Sequence, residues 1–94
     1  MPDDIVRKRI RFSGRVQGVG FRYRSTMLAT EIGLTGWVKN EYDGSVTMEV
    51  QGRENQIDML IDKLYSSRFI SIDDFDSERI DVDYHEGSFN IIGF

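Results

Sequence analysis

Twice along this chain a period-two pattern of apolar residues gives way to helical spacing, and twice it returns. Ile10 and Phe12 alternate with Arg9 and Arg11, as in a strand with one wet face. A glycine-rich stretch, Gly14 to Gly20, follows. Phe21, Leu28, Ala29 and Ile32 then recur at helical spacing, with Gly33 placed to end the helix. Trp37-Val38-Lys39-Asn40 reads as a short strand, and Asp43-Gly44 favours a tight hairpin turn. Beyond the turn, Val46, Met48 and Val50 alternate with Thr47 and Glu49. Ile57, Leu60, Ile61 and Leu64 repeat at i, i+3, i+4 and i+7, the clearest amphipathic helix in the chain. Ile80 and Val82 alternate with acids between Phe75 and Asp83, and Phe89, Ile91 and Ile92 predict a last short strand.

The order is β-α-β-β-α-β with one further strand, which predicts a ferredoxin-like α/β sandwich: an antiparallel sheet with two helices on one face. If the first strand runs up, the first helix runs down and the second strand runs up again. The loop 14–20 and Asn40 are therefore expected at the same end of the sheet. With 94 residues the chain suits a single domain, residues 1–94 with a core from about residue 5. A chain of this size buries roughly 60–65 % of its unfolded surface, enough to fold without staples. None are on offer, because there is no cysteine for disulfides or thiolate metal sites. His85 is the only histidine, so no histidine cluster can hold a metal, and neither metal nor cofactor is expected. His85 itself reads as a solvated loop residue. Asp73, Asp74 and Asp76 lack calcium-loop spacing and read as an acidic solvated turn. No apolar run approaches the roughly 18 residues of a membrane span. Met1-Pro2-Asp3-Asp4 does not look like a signal peptide, so the cytoplasm is the expected compartment.

The net charge of −4 conceals an uneven distribution. Residues 1–40 carry eight bases against three acids, whereas residues 41–94 hold four bases and thirteen acids. An acidic second half argues against a broad nucleic-acid surface and favours a small anion held at one basic point. Arg7, Lys8, Arg9 and Arg11 read as the wet side of the first strand. Phe21 and Trp37 read as packing residues, as do the four methionines. In the loop, three glycines in seven residues allow successive N–H groups to point inward as an anion nest beside a helix N-terminus. Arg22 stands in the first helical turn, where acids normally complement the dipole, as though a bound anion supplied that charge. A P-loop is excluded, because no Gly-Lys followed by Ser or Thr occurs. Gly18-Val19-Gly20-Phe21-Arg22-Tyr23 ends in tyrosine where a dinucleotide fingerprint needs a small residue. On the residues alone, a merely permissive turn with a surface arginine remains open, and Asn40 could be only a turn residue.

Two stretches carry a resemblance. Gly14-Arg15-Val16-Gln17-Gly18-Val19-Gly20-Phe21-Arg22 resembles the first acylphosphatase motif. Gly36-Trp37-Val38-Lys39-Asn40, continued by Gly44, Val46 and Gly52, resembles the second. The similarity covers about Ile5 to Phe94. It implies an enzyme that hydrolyses the carboxyl–phosphate bond of acyl phosphates by water attack on phosphorus. It implies further that Arg22 binds the substrate phosphate together with the loop Arg15, Val16, Gln17, Gly18, Val19, Gly20 and Phe21. Asn40 would position the attacking water, with Ser45 in support. Inorganic phosphate is the expected product and competitive inhibitor, no nucleic acid or membrane partner is expected, and the charged surface favours a monomer. A non-catalytic anion-binding module of the same fold is the alternative. An RNA-recognition surface would need stacking aromatics that Ser45 to Gln51 lack. The similar domain at the start of hydrogenase-maturation proteins belongs to longer chains with zinc-type cysteine motifs.

Overall fold

A computed structural model describes residues 4–93, so Met1 to Asp3, on which the signal-peptide reading rests, and Phe94 lie outside the described residues. Five strands and two helices follow in the order β1 (Ile5–Arg15), α1 (Phe21–Ile32), β2 (Thr35–Asn40), β3 (Val46–Arg53), α2 (Glu54–Tyr65), β4 (Ser71–Ile80) and β5 (Phe89–Ile91). In α2 the periodic apolar residues Ile57, Leu60 and Leu64 are fully buried. Glu54 and Lys63 sit at the ends where they complement the helix dipole, and the Gln56 side chain accepts the Arg53 N–H at 3.0 Å. Helix α1 stops where the Gly33 and Leu34 N–H groups both return to the Ala29 carbonyl, at 2.9 and 2.8 Å.

The sheet order is β4-β1-β3-β2-β5. Phe12 pairs with Val46 and Val46 with Asn40, so the ends of β1 and β2 meet at one level, as the strand order predicts. One expectation is corrected. The sheet is mixed, because β5 runs parallel to β2. Strand β4 is antiparallel to β1 and ends at the bottom of the sheet. Residues 81–88 then carry the chain to the opposite edge, and a strand starting there must run up, as β2 does.

Strand alternation divides the side chains between two faces. Val6, Ile10 and Phe12 of β1, Val46, Met48 and Val50 of β3, and Val38 of β2 form one buried cluster with Phe21, Leu28, Ala29 and the apolar face of α2. Phe12 and Phe21 pack with ring centroids 5.0 Å apart, locking the start of α1 onto the end of β1. The opposite face is polar, but Arg7 is not on its wet side. It is only 4 % exposed, and its guanidinium grips both carboxylate oxygens of Glu86 (2.7 and 3.1 Å), Glu49 (3.0 Å) and Gln51 (3.2 Å). Those bonds, Glu86 foremost, hold its pKa above the ordinary arginine value. Lys8 points to the helix side and pairs with Glu54 at 2.9 Å. Asp73, Asp74 and Asp76 lie along edge strand β4 rather than in a turn. Met59 is largely exposed, whereas Met48 is core.

Candidate active site

The chain between β1 and α1 is held at both flanks and open in the middle. Val16 and Phe21 are each 1 % exposed and anchor the loop in the core. Between them Gly18 and Gly20 take φ of +73° and +82°, a left-handed backbone that side-chain-bearing residues rarely adopt. Gly20 is the N-cap of α1, with no side chain to cap the helix and no acid in its first turn. The positive end of the α1 dipole thus faces the loop, a setting that favours an anion. The Gln17 amide donates to the carbonyls of Glu41 at 2.7 Å and Ser45 at 2.8 Å, stitching the loop to the β2–β3 hairpin.

Asn40 comes to the same place from β2. Its register with Val46, two residues beyond Val38, directs it to the helix-covered face. A cavity of about 230 Å³ is lined there by Gly18, Gly20, Arg22, Tyr23, Asn40 and Ile91, with Val16 and Phe21 contributing from the core. That is smaller than the sites that enclose drug-sized ligands and suits a small anion. Arg22 is half-buried, and its carbonyl is bonded by Ser25 and Thr26. The Asn40 Oδ1 is buried, and among the described residues no donor reaches it. Such an atom ordinarily costs about 1–3 kcal/mol and calls for an explanation.

The turn after Asn40 is braced from the open face. The Glu41 N–H donates to the Ser45 carbonyl at 2.9 Å, and the Gly44 N–H to the Glu41 carbonyl at 3.3 Å. The loop, residues 41–45 between β2 and β3, is longer than the tight turn that Asp43-Gly44 favours. Asp43 accepts from the Ser45 hydroxyl (2.6 Å) and N–H (2.9 Å) and pairs with Arg11, whose Nε also donates to the Ser45 hydroxyl at 3.1 Å. The Ser45 bonds first, then Arg11, hold the Asp43 carboxyl below the usual aspartate range.

Val16, Gly18, Gly20, Phe21, Arg22 and Asn40 of the sequence-predicted set thus meet at one cavity. Arg15 ends β1 exposed, opposite Ser71. Gln17 spends its side chain on the hairpin, Val19 lines a neighbouring groove, and Ser45 supports the turn from the far face. Sequence reasoning missed Tyr23 and Ile91 as lining residues. Tyr23 follows Arg22 in the first turn and could have been suspected, whereas Ile91 arrives only through the parallel pairing of β5 with β2.

Comparison with known proteins gives a consistent result. The family model described as Acylphosphatase matches residues 8–91. The chain is 34 % identical over 85 residues to an acylphosphatase of Oceanobacillus iheyensis, covering 88 % of this chain and 93 % of the relative. It is 44 % identical over 80 residues to one of Geobacillus kaustophilus, covering 84 % and 85 %. The crystal structure of acylphosphatase from Bacillus subtilis superposes with a TM-score of 0.86 at 35 % identity, covering 94 % of this chain and 99 % of that one.

Proposed function

This chain belongs to the acylphosphatase family and hydrolyses small acyl phosphates, and from that premise we propose how its residues divide the reaction. The N–H groups of the loop from Gln17 to Phe21 and the Arg22 guanidinium hold the phosphoryl oxygens, by charge-assisted bonds to a fixed fork and nest. Asn40 Oδ1 accepts a hydrogen bond from the attacking water. Its amide is no base at neutral pH, so it contributes orientation, not proton abstraction. The water oxygen forms a bond to phosphorus as the phosphorus–oxygen bond to the acyl group breaks. The carboxylate leaves with the bonding pair, and the water's proton passes to a phosphoryl oxygen. A carboxylate is a good leaving group that needs little protonation, so positioning and charge stabilisation supply most of the acceleration and no metal is required of the mechanism.

The observation that carries this reading is the orphaned buried Asn40 Oδ1 on the cavity that Gly18, Gly20 and Arg22 also line. A water held there would satisfy it. In the test, Asn40→Ala should lower turnover of a synthetic acyl phosphate by about 10²-fold while inorganic phosphate still inhibits competitively. Arg22→Ala should lose both, and the parent should turn over in the presence of a chelator. In ¹⁸O-water the label should enter phosphate and not the carboxylate. Full activity in the Asn40 variant would remove the water-positioning role.

A single domain acting as a cytoplasmic monomer is the proposed form. The polar sheet face pairs its charges internally, Arg9 with Glu49 and Arg11 with Asp43, which supports the monomer.

A further inference from the structure

Beside the phosphate cavity, and sharing Gly20 and Tyr23 with it, runs a second groove of about 450 Å³ between the start of α1 and the connection 66–70. Tyr23 and Phe69 stand in it 68 % and 72 % exposed, an unusual outlay of aromatic surface for so small a protein. Arg24 and Arg68 line it, and no carboxylate does. Among the described residues neither arginine forms an ion pair, and Arg68 lies over the Phe69 ring at 5.8 Å. The Ser66 and Ser67 hydroxyls are turned back to the Asp62 and Lys63 carbonyls at 3.1 and 2.9 Å, so the groove's free charge is that of the arginines. A doubly cationic groove with aromatic walls stands out in a chain of net charge −4.

Its direction follows from the sheet order. Asn40 ends β2, on one side of β1, and residues 66–70 lead into β4, on the other side. The glycine loop leaves β1 between them. Displacement at phosphorus places the attacking and leaving oxygens roughly in line. If water is held at Asn40, the leaving carboxylate points away from it, toward the groove.

We propose that this groove receives the acyl group and that Arg24 and Arg68 favour acyl phosphates whose acyl part carries a second negative charge. The aromatic rings flank the carbon skeleton, and the guanidinium groups meet the distal anion. The inference rests on the phosphate being held at Arg22 and the Gly18–Gly20 loop.

Benzoyl phosphate and 4-carboxybenzoyl phosphate differ only in that distal charge, so the ratio of their kcat/KM values isolates it. The Arg24→Ala/Arg68→Ala variant should lower the ratio of carboxylated to plain substrate by about three- to tenfold, as exposed charge pairs allow. Arg68→Glu should lower it further than Arg68→Ala, and added salt should shrink the parent's preference. A general folding defect would slow both substrates equally and leave the ratio alone. An unchanged ratio in both the double alanine and the Arg68→Glu variants, with both substrates still turned over by the parent, would overturn the groove assignment and leave the phosphate site standing. Undiminished turnover of both substrates by Arg22→Ala would overturn the phosphate placement and the groove with it.

Discussion

Asn40 and Gly36 lie on the same face of β2, four residues apart, and the fold asks opposite things of them. Asn40 keeps a buried oxygen without a donor, a feature that opposes stability and suits a polar ligand. Asn40→Ala should therefore unfold at a urea concentration no lower than the parent while losing turnover, the pattern of a residue kept for chemistry. Gly36 has the reverse profile. Its φ is +144°, and a Cβ there would overlap the Glu49 carbonyl oxygen of the neighbouring strand. Gly36→Ala should lower stability by roughly 2–3 kcal/mol in urea unfolding, because strain and overlap act together.

Between elements, the loop before α1 and the β2–β3 hairpin behave as one clamp, with Gln17 on one side and Arg11, Asp43 and Ser45 on the other. Asp43 reports on it. A carboxyl whose folded pKa lies below its unfolded value stabilises fully above the unfolded pKa, and that support is lost as pH falls through the folded one. The bracing of the turn should therefore persist through the neutral range and be lost only as pH falls below the usual aspartate range. In Ser45→Ala the Asp43 carboxyl, followed by NMR titration, should move up toward the ordinary aspartate range. Turnover should fall with it, by no more than the roughly 10²-fold that a small misplacement costs, because Ser45 does not line the cavity. An Asp43 titration indifferent to Ser45 would show that the hydroxyl bond contributes nothing in solution.

Across the whole molecule, the bottom of the sheet is tied to its far edge by Arg7. Its bonds to Glu86 and Glu49, with Gln51 bonded to both the N–H and the carbonyl of Asp83 (2.8 and 2.9 Å), pin the segment 81–88 that delivers β5. Strand β5 in turn brings Ile91 to the phosphate cavity. Arg7→Ala leaves the largely buried Glu86 carboxylate, only 14 % exposed, without a cation among the described residues, and leaves Glu49, 12 % exposed, with Arg9 alone. Equilibrium unfolding should show a loss of roughly 3–5 kcal/mol. A loss below about 1 kcal/mol, typical of a surface pair, would contradict that burial.

What the sequence determined by itself is local. Periodicity places both helices and most strands, because apolar spacing follows the geometry of the element that carries it. The glycine pattern before Arg22 marks an anion-sized turn, and the paired motifs name the family. Strand order even brings Asn40 to that loop, since a right-handed β-α-β unit permits little else. What only the tertiary structure decided is non-local. The parallel pairing of β5 depends on where an irregular segment crosses the sheet, and no short-range pattern encodes that. The burial of Arg7 depends on Glu86, 79 positions away. The alternation that puts Arg7, Arg9 and Arg11 on one face could not say that one of the three is enclosed and the others wet. The groove of Arg24 and Arg68 exists only because α1 and the α2–β4 connection meet in space.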